Sequence, residues 1–425
     1  MGLARPVRLA ALVLAVTRRY AASAGRITAA SLLCGIGCAG PGASPPAAAA
    51  AQGAAQQSES SLNSEFAGTT ESPQLPSAQG TDPDTRALAA ACGEVDSALM
   101  HVAARLAEQQ TDATGELDTD ALGFALRAAG SPYVWPRAWL FNGSEGEVEV
   151  AKGRMQRWLA SFSDGGTRRC GVSLRHESGE RISVGAVAVD VMADLEPLPT
   201  RVRIGQWLDV RALLRVPASE AKWVVLGPRG APHAAPTSFT SGRARARFNA
   251  DQPGEWLLQL LGNVDGGPRP LLEALVYAGM EPPHAARVSK APGEDAPQAS
   301  ADPRAALYEM VNAARASERF AALVHDERLE RLAQAHAEAM HRARRTAHDA
   351  GDGDLNQRLE QAGLAFSAGE NVAHAASARL AQRALWASPS HRENLLFPSF
   401  NVVGIGVVAD DDGTLWVCQI FGTSQ

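Results

Sequence analysis

Apolar residues recur at helical spacing through Leu88, Ala91, Cys92, Val95, Leu99, Val102, Ala103 and Leu106, which predicts one amphipathic helix over residues 85–110. Asp84 or Thr85 would cap it. A second helix is predicted over 118–129, ended by Gly130 and Pro132, and a third over 148–162. Strand-like runs at 170–174 and 182–189 then flank a turn at Ser178-Gly179. Together these elements predict an α/β domain over 84–196.

From 197 to 280 the period changes to two. Val202, Ile204, Leu208, Val210, Ala212 and Leu214 alternate with polar residues, and Ala244, Ala246 and Phe248 alternate with Arg243, Arg245 and Arg247. Further runs at 223–226 and 255–261 follow turn signals, and the spacing predicts an immunoglobulin-like β-sandwich. The arginine alternation reads as a solvated strand face. Residues 281–302 carry Pro282-Pro283 and small polar residues, and form a linker.

Helical periodicity returns after Asp302-Pro303, a cap followed by proline at the first helical position. Leu307, Met310, Val311 and Ala314 mark one helix, and Leu329, Leu332, Ala333, His336, Ala337 and Met340 a second. Leu355, Leu359 and Ala362 mark a third, and a fourth spans about 377–386, stopping at Ser388-Pro389. Two strands, 402–408 and 415–421, close the chain. Asp410-Asp411-Asp412-Gly413 between them lacks calcium-loop spacing and reads as a hairpin turn.

The N-terminus adds a location. Residues 1–38 have an acid-free start with Arg5, Arg8, Arg18, Arg19 and Arg26, then an apolar run from Ile27 to Gly37 before Cys38. That run suits an export signal and is too short to span a bilayer. Small residues around Cys38 resemble a bacterial lipoprotein box, which implies lipidation of Cys38 and a membrane anchor; a non-lipidated secretory signal is the alternative. Residues 39–83 hold almost no large apolar side chains and read as a disordered tether. With export, Cys92 and Cys170 would pair in a disulfide, and otherwise they are buried thiols.

Composition narrows function only a little. A chain of 425 residues predicts two to four domains. A net charge of −6 offers no basic field for nucleic acid. No cysteine–histidine cluster has zinc-finger spacing.

The last third carries ordered landmarks: Val311-Asn312-Ala313-Ala314-Arg315, Leu332-Ala333 with His336-Ala337, His348, Leu355-Asn356-Gln357-Arg358-Leu359, Gly369-Glu370-Asn371, Trp386 to Leu396 around Ser388-Pro389-Ser390-His391-Arg392, Gly404-Ile405-Gly406 and Trp416 to Gly422. In order and spacing, residues 303–425 resemble the CAP superfamily in its compact bacterial SCP-like form. The resemblance implies an α-β-α sandwich with a central cleft, and by motif it places His348, Glu370 and His391 there. The second acidic residue of the eukaryotic tetrad has no counterpart. The order of elements in 84–196 echoes that of the C-terminal domain, so the first domain reads either as a diverged CAP-like copy without the cleft histidines or as an unrelated domain.

Two imidazoles and a carboxylate suit a zinc site, or a buried polar network that ties helices together. His336 sits on an apolar stripe and reads as a core histidine, whereas His325, His341 and His374 read as surface residues. Three functions follow as expectations. The first is a non-enzymatic binding module for a lipid, peptide or envelope component. The second is a metal-dependent hydrolase using His348, Glu370 and His391. The third is a structural surface protein.

Overall fold

The computed structural model describes residues 15–18, 82–109, 119–163, 165–283, 290–295 and 302–424. The expected leader and tether lie outside the described residues, apart from a short strand at Ala15–Arg18 and the residues from Asp82 onward. Among the described residues no helix is long and apolar enough to cross a membrane.

The N-terminal domain has three layers. In order it contains α1 (Pro83–Ala89), α2 (Ser97–Gln109), α3 (Thr119–Ala128), β1 (Arg137–Ser144), α4 (Val148–Ala160), β2 (Thr167–Glu177) and β3 (Arg181–Val191). Its sheet runs Glu94–Val95, β2, β3, β1; the first pairing is parallel and the others antiparallel. Leu88 of α1 and Met155 and Leu159 of α4 pack on one face, and Leu99, Val102, Leu122 and Leu126 of α2 and α3 on the other. The one helix expected over 85–110 is in fact two. Cys92 and Cys170 form a disulfide with their Cα atoms 5.8 Å apart, which fixes the break. Asp96 then restarts the helix, its carboxylate accepting from the N–H groups of Ala98 and Leu99.

A two-sheet β-sandwich follows. It comprises β4 (Ala193–Leu195), β5 (Gln206–Leu214), β6 (Glu220–Leu226), β7 (His233–Ala235), β8 (Thr237–Thr240), β9 (Arg243–Ala250), β10 (Gly254–Val264) and β11 (Gly267–Ala278). One sheet runs β7, β6, β10, β11 and then Arg201–Val202; the other runs β8, β9, β5, β4. The period-two pattern sends Ala244, Ala246 and Phe248 into the core and leaves Arg243, Arg245 and Arg247 exposed. The sandwich begins at β4, ahead of the expected boundary at 197, because Met192 already sits in its core. The expected linker is partly ordered: Glu294 is buried and pairs with Arg383, and its carboxylate accepts from the Ala291 N–H at 2.9 Å.

The C-terminal domain is a second three-layer unit. It contains α5 (Pro303–Ser317), α6 (Glu327–Ala343), α7 (Leu355–Gln361), β12 (Ser367–Ala375), α8 (Ala378–Ala387), α9 (Pro389–Leu395), β13 (Val402–Ala409) and β14 (Leu415–Thr423). Asp302, Asp326, Asp354 and Ser377 accept from the first N–H groups of α5, α6, α7 and α8. The sheet order is Ala15–Arg18, β12, β14, β13, Val324–His325. Residues 416, 418 and 420 of β14 face α6 and α7, while 417 and 421 face α5 and α8.

Apart from α9 and the Ala15–Arg18 strand, the two three-layer units share element order and strand order, including a two-residue edge strand in parallel pairing. In both, a helix lies against the sheet over a glycine. A Cβ on Gly404 would sit 2.1 Å from the Glu330 nitrogen, and one on Gly171 would sit 2.0 Å from the Leu99 carbonyl carbon.

Candidate functional site

The candidate site is built around β12, where side chains alternate between the two faces of the sheet. Glu370 points toward α6 and α7, and Asn371 points toward α8 and α9. Glu370 is fully buried. Its Oε1 lies 2.6 Å from His348 Nδ1, and its Oε2 accepts from Arg358 Nη2 at 2.7 Å. The Cys418 thiol is 3.5 Å from the same Oε2. Arg358 also donates to the carbonyls of His348 and Gly353, each at 3.0 Å.

His336 is the second layer of this cluster. Its Nδ1 lies 2.8 Å from an Asp352 carboxylate oxygen and its Nε2 lies 2.9 Å from the Ala347 carbonyl. Both partners are hydrogen-bond acceptors. Its Nε2 is 3.9 Å from Glu370 Oε1. Arg358 and Glu370 compensate one another in the interior, with half-buried Asp352 3.8 Å from Arg358 Nε, the arrangement that buried charge requires.

The electrostatics follow. Burial would raise Glu370, but Arg358, His336 and the His348 hydrogen bond outweigh it and hold the carboxyl far below the ordinary range. Burial lowers His348, so its ring is neutral with the proton on Nδ1 toward Glu370. Its Nε2 then carries a buried lone pair that finds no hydrogen-bond partner among the described residues. Burial and the Glu370 charge push Cys418 up, leaving it an unreactive thiol.

Across the sheet the groups are amides. Asn394 Nδ2 donates to Asn371 Oδ1 at 2.9 Å and to the Glu370 carbonyl at 3.0 Å. Asn371 Nδ2 donates to the His391 carbonyl at 3.2 Å, and Gln419 Nε2 donates to Gln382 Oε1 at 3.2 Å. His391 is buried at the start of α9. Thus His348 and Glu370 meet directly, and His391 is joined to them through the β12 backbone and Asn371.

These three residues are a poor metal set as arranged. Both Glu370 oxygens are engaged by His348 and Arg358. Among the described residues the only three-residue group with ligand atoms within 4.8 Å of one another is Asp82, Asp84 and His176. Asp82 in that group caps α1, and His176 also faces Glu145 at 3.1 Å, so it reads as a surface ion cluster.

Ser388 and Ser390 are not disposed as nucleophiles. Their hydroxyls lie 3.4 Å apart, and Ser388 Oγ accepts from Gln259 of the sandwich at 3.2 Å. His374 departs from its expected surface position: it is stacked on Trp416 with ring centroids 3.9 Å apart. Sequence reasoning missed Arg358 as a site residue, although it shares the Leu355–Leu359 stripe of α7, an unusual place for a charge. Asp352, Gln419 and Gln259 carried no such signal.

Residues 308–420 match the sequence model of the cysteine-rich secretory protein family, CAP. The C-terminal domain is a CAP domain. No curated protein matches the chain. Among solved structures, an outer surface protein from Borrelia burgdorferi is 22% identical, with 28% of this chain and 90% of that one covered and a TM-score of 0.27. An extracellular SCP-domain protein from Bacillus anthracis is 16% identical over 54% of this chain and 88% of its own, TM-score 0.27. A cysteine-rich secretory protein from Staphylococcus aureus is 13% identical over 55% of this chain and 86% of its own, TM-score 0.25. The buried cluster around Glu370 thus lies inside the CAP domain.

Proposed function

We propose that the protein is exported, is held at the bacterial envelope by lipidated Cys38, and uses its CAP domain as a non-enzymatic binding module for a lipid, peptide or envelope component. One observation carries the non-enzymatic reading: the carboxylate, the thiol and the Ser388 hydroxyl of the site are engaged by internal partners. Glu370 is locked between Arg358 and His348, Cys418 is held protonated, and the Ser388 hydroxyl accepts from Gln259. The Cys92–Cys170 disulfide supports export, since such bonds persist in oxidising compartments.

The sandwich reads as immunoglobulin-like because its two sheets group the strands as β4, β5, β9, β8 and as Arg201–Val202, β11, β10, β6, β7. The N-terminal domain reads as a diverged CAP-like copy. Matching Gly171 to Gly404 and following the strand registers puts Ala138 where the CAP domain has Glu370. Matching Leu99 to Leu329 beneath those glycines puts Leu106 where it has His336. Both substitutes are buried and apolar, so this copy keeps the scaffold without the charged cluster.

A second reading, a metal-dependent hydrolase, is favoured by the lone pair of His348 Nε2, since an imidazole oriented by a carboxylate is a common metal ligand. Calorimetric zinc titration of the chain lacking residues 1–38 separates the two, with a fluorescent fatty acid titrated in parallel. The binding-module reading expects no stoichiometric zinc binding. Micromolar one-to-one binding that disappears in His348→Ala/His391→Ala would overturn it.

A further inference from the structure

We infer that the β-sandwich is a latched cover over the buried His348–Glu370–His391 cluster of the CAP domain, and that Gln259 is the latch. This rests on the reading of the CAP domain as a binding module.

The first observation is the chemistry of β10. Leu257, Leu258, Leu260 and Leu261 make the strand apolar, yet Gln259 in its middle is fully buried. Leu258 and Leu260 belong to the sandwich core, so the alternation turns Gln259 out of it. Ser388 and Ser390 of the CAP domain and Glu273 of β11 pack around this side chain. Its Nε2 donates to Ser388 Oγ at 3.2 Å, and its Oε1 accepts from the Ser390 N–H at 3.1 Å. Both partners lie beside His391 at the start of α9. A glutamine that bonds both ways across a dry contact fixes the register of the two surfaces, and parting them leaves those groups to be rehydrated.

Two further contacts bracket the cluster. Lys222 on β6 pairs with Glu393 of α9 at 3.5 Å. At the other side, the β10–β11 turn reaches His348. A Cβ on Gly267 would be 3.0 Å from the His348 Cβ, and the Asp349 N–H donates to the Gly266 carbonyl at 3.3 Å. The sandwich therefore touches both histidine-bearing walls, with the Ala15–Arg18 strand laid along β12 between them. His348, Glu370 and His391 are all fully buried in this arrangement. The sandwich contributes to that burial at His348 and beside His391, so parting it from the CAP domain opens the cluster from this side.

The latch also reaches the N-terminal domain. Gln259 Nε2 donates to Glu273 of β11 at 2.7 Å, and Glu273 faces Arg127 of α3 at 3.6 Å. One polar line thus joins all three domains through the cover.

The test is histidine modification by diethyl pyrocarbonate, read residue by residue by mass spectrometry. The chain used lacks residues 1–38, so that the sandwich alone is tested. His391 and His348 are expected to react at least tenfold more slowly than exposed His233. Gln259→Ala with Lys222→Ala is expected to speed both at least fivefold while core His336 stays protected, which shows that the CAP domain remains folded. The single Lys222→Ala change, at a partly exposed side chain, gives a smaller increase and serves if the double variant misfolds. Replacing Lys222 and Glu393 by cysteines should slow both histidines further when oxidised and release them on reduction. The inference is overturned if His391 reacts as fast as His233 in the unaltered chain, or if neither the latch variants nor the reducible staple change the rates. Zinc or fatty-acid titration reports on the binding reading separately, so failure of that reading leaves these rates interpretable.

Discussion

Glu370 decides the character of the site. Removing its charge strips buried Arg358 of its nearest counter-ion and leaves only Asp352 at 3.8 Å, and breaking such a pair costs about 3–5 kcal/mol. Glu370→Gln is therefore expected to lose that much stability in urea unfolding of the CAP domain; a loss under about 1 kcal/mol would mean water already reaches the pair. The pH dependence has a definite sign. Burial lowers His348 in the folded chain below its unfolded value of about 6.5, so the unfolded state takes up the proton first. Stability falls as pH drops below that value. Glu370 is held far below the ordinary range, so its contribution is present above about 4.3 and is lost only as pH falls further. Between pH 7 and 5 the melting temperature should fall, and His348→Gln, which keeps a donor toward Glu370, should flatten the fall. An equal fall in that variant would place the responsible proton elsewhere, half-buried His374 being the next candidate.

At the level of elements, close approach sets the strictest demands. Gly404 lets α6 lie directly on β13, and Gly404→Ala drives a Cβ to 2.1 Å from backbone of α6, which cannot rotate away. A loss of about 3 kcal/mol is expected. Gly413→Ala is the control: it meets nothing within 4 Å and bears only its left-handed φ of 84°, a cost of about 1 kcal/mol. Urea midpoints of the two variants should differ accordingly, and equal midpoints would show that α6 has room to move. Helices with clear stripes, such as α5 and α6, were legible in the sequence, and so were β9, β13 and β14. β12 was not, because Gly369, Glu370 and Asn371 put polar groups on both faces of a buried strand. β1 was hidden for the opposite reason: only Ala138 and Phe141 in it are buried. The run from Leu88 to Leu106 kept helical spacing straight through a break, since the break is imposed by a cysteine bonded 78 residues away.

Across the whole molecule, what the sequence hid is contact between domains. The motif order located His348, Glu370 and His391, but nothing local to Gln259 tells that its partner is Ser390, a distant residue in another domain. Polar contacts join the domains, Arg127 with Glu273, Gln259 with Ser388 and Ser390, and Lys222 with Glu393, and Val134 of the N-terminal domain also enters the sandwich core. Contacts of the polar kind hold the sandwich and the CAP domain in register without merging their cores, and each of these two retains its own hydrophobic cluster. The disulfide lies wholly in the N-terminal domain, so its energetic effect should stay there. Closing a loop of this 78-residue separation contributes about 4 kcal/mol in the chain-entropy account. In calorimetry of the chain lacking residues 1–38, reduction of Cys92–Cys170 should move one transition to lower temperature and leave the CAP transition in place. If the whole melting profile shifts together, the polar line through Gln259 is strong enough to make the three domains a single cooperative unit, and opening of the cover would then require unfolding.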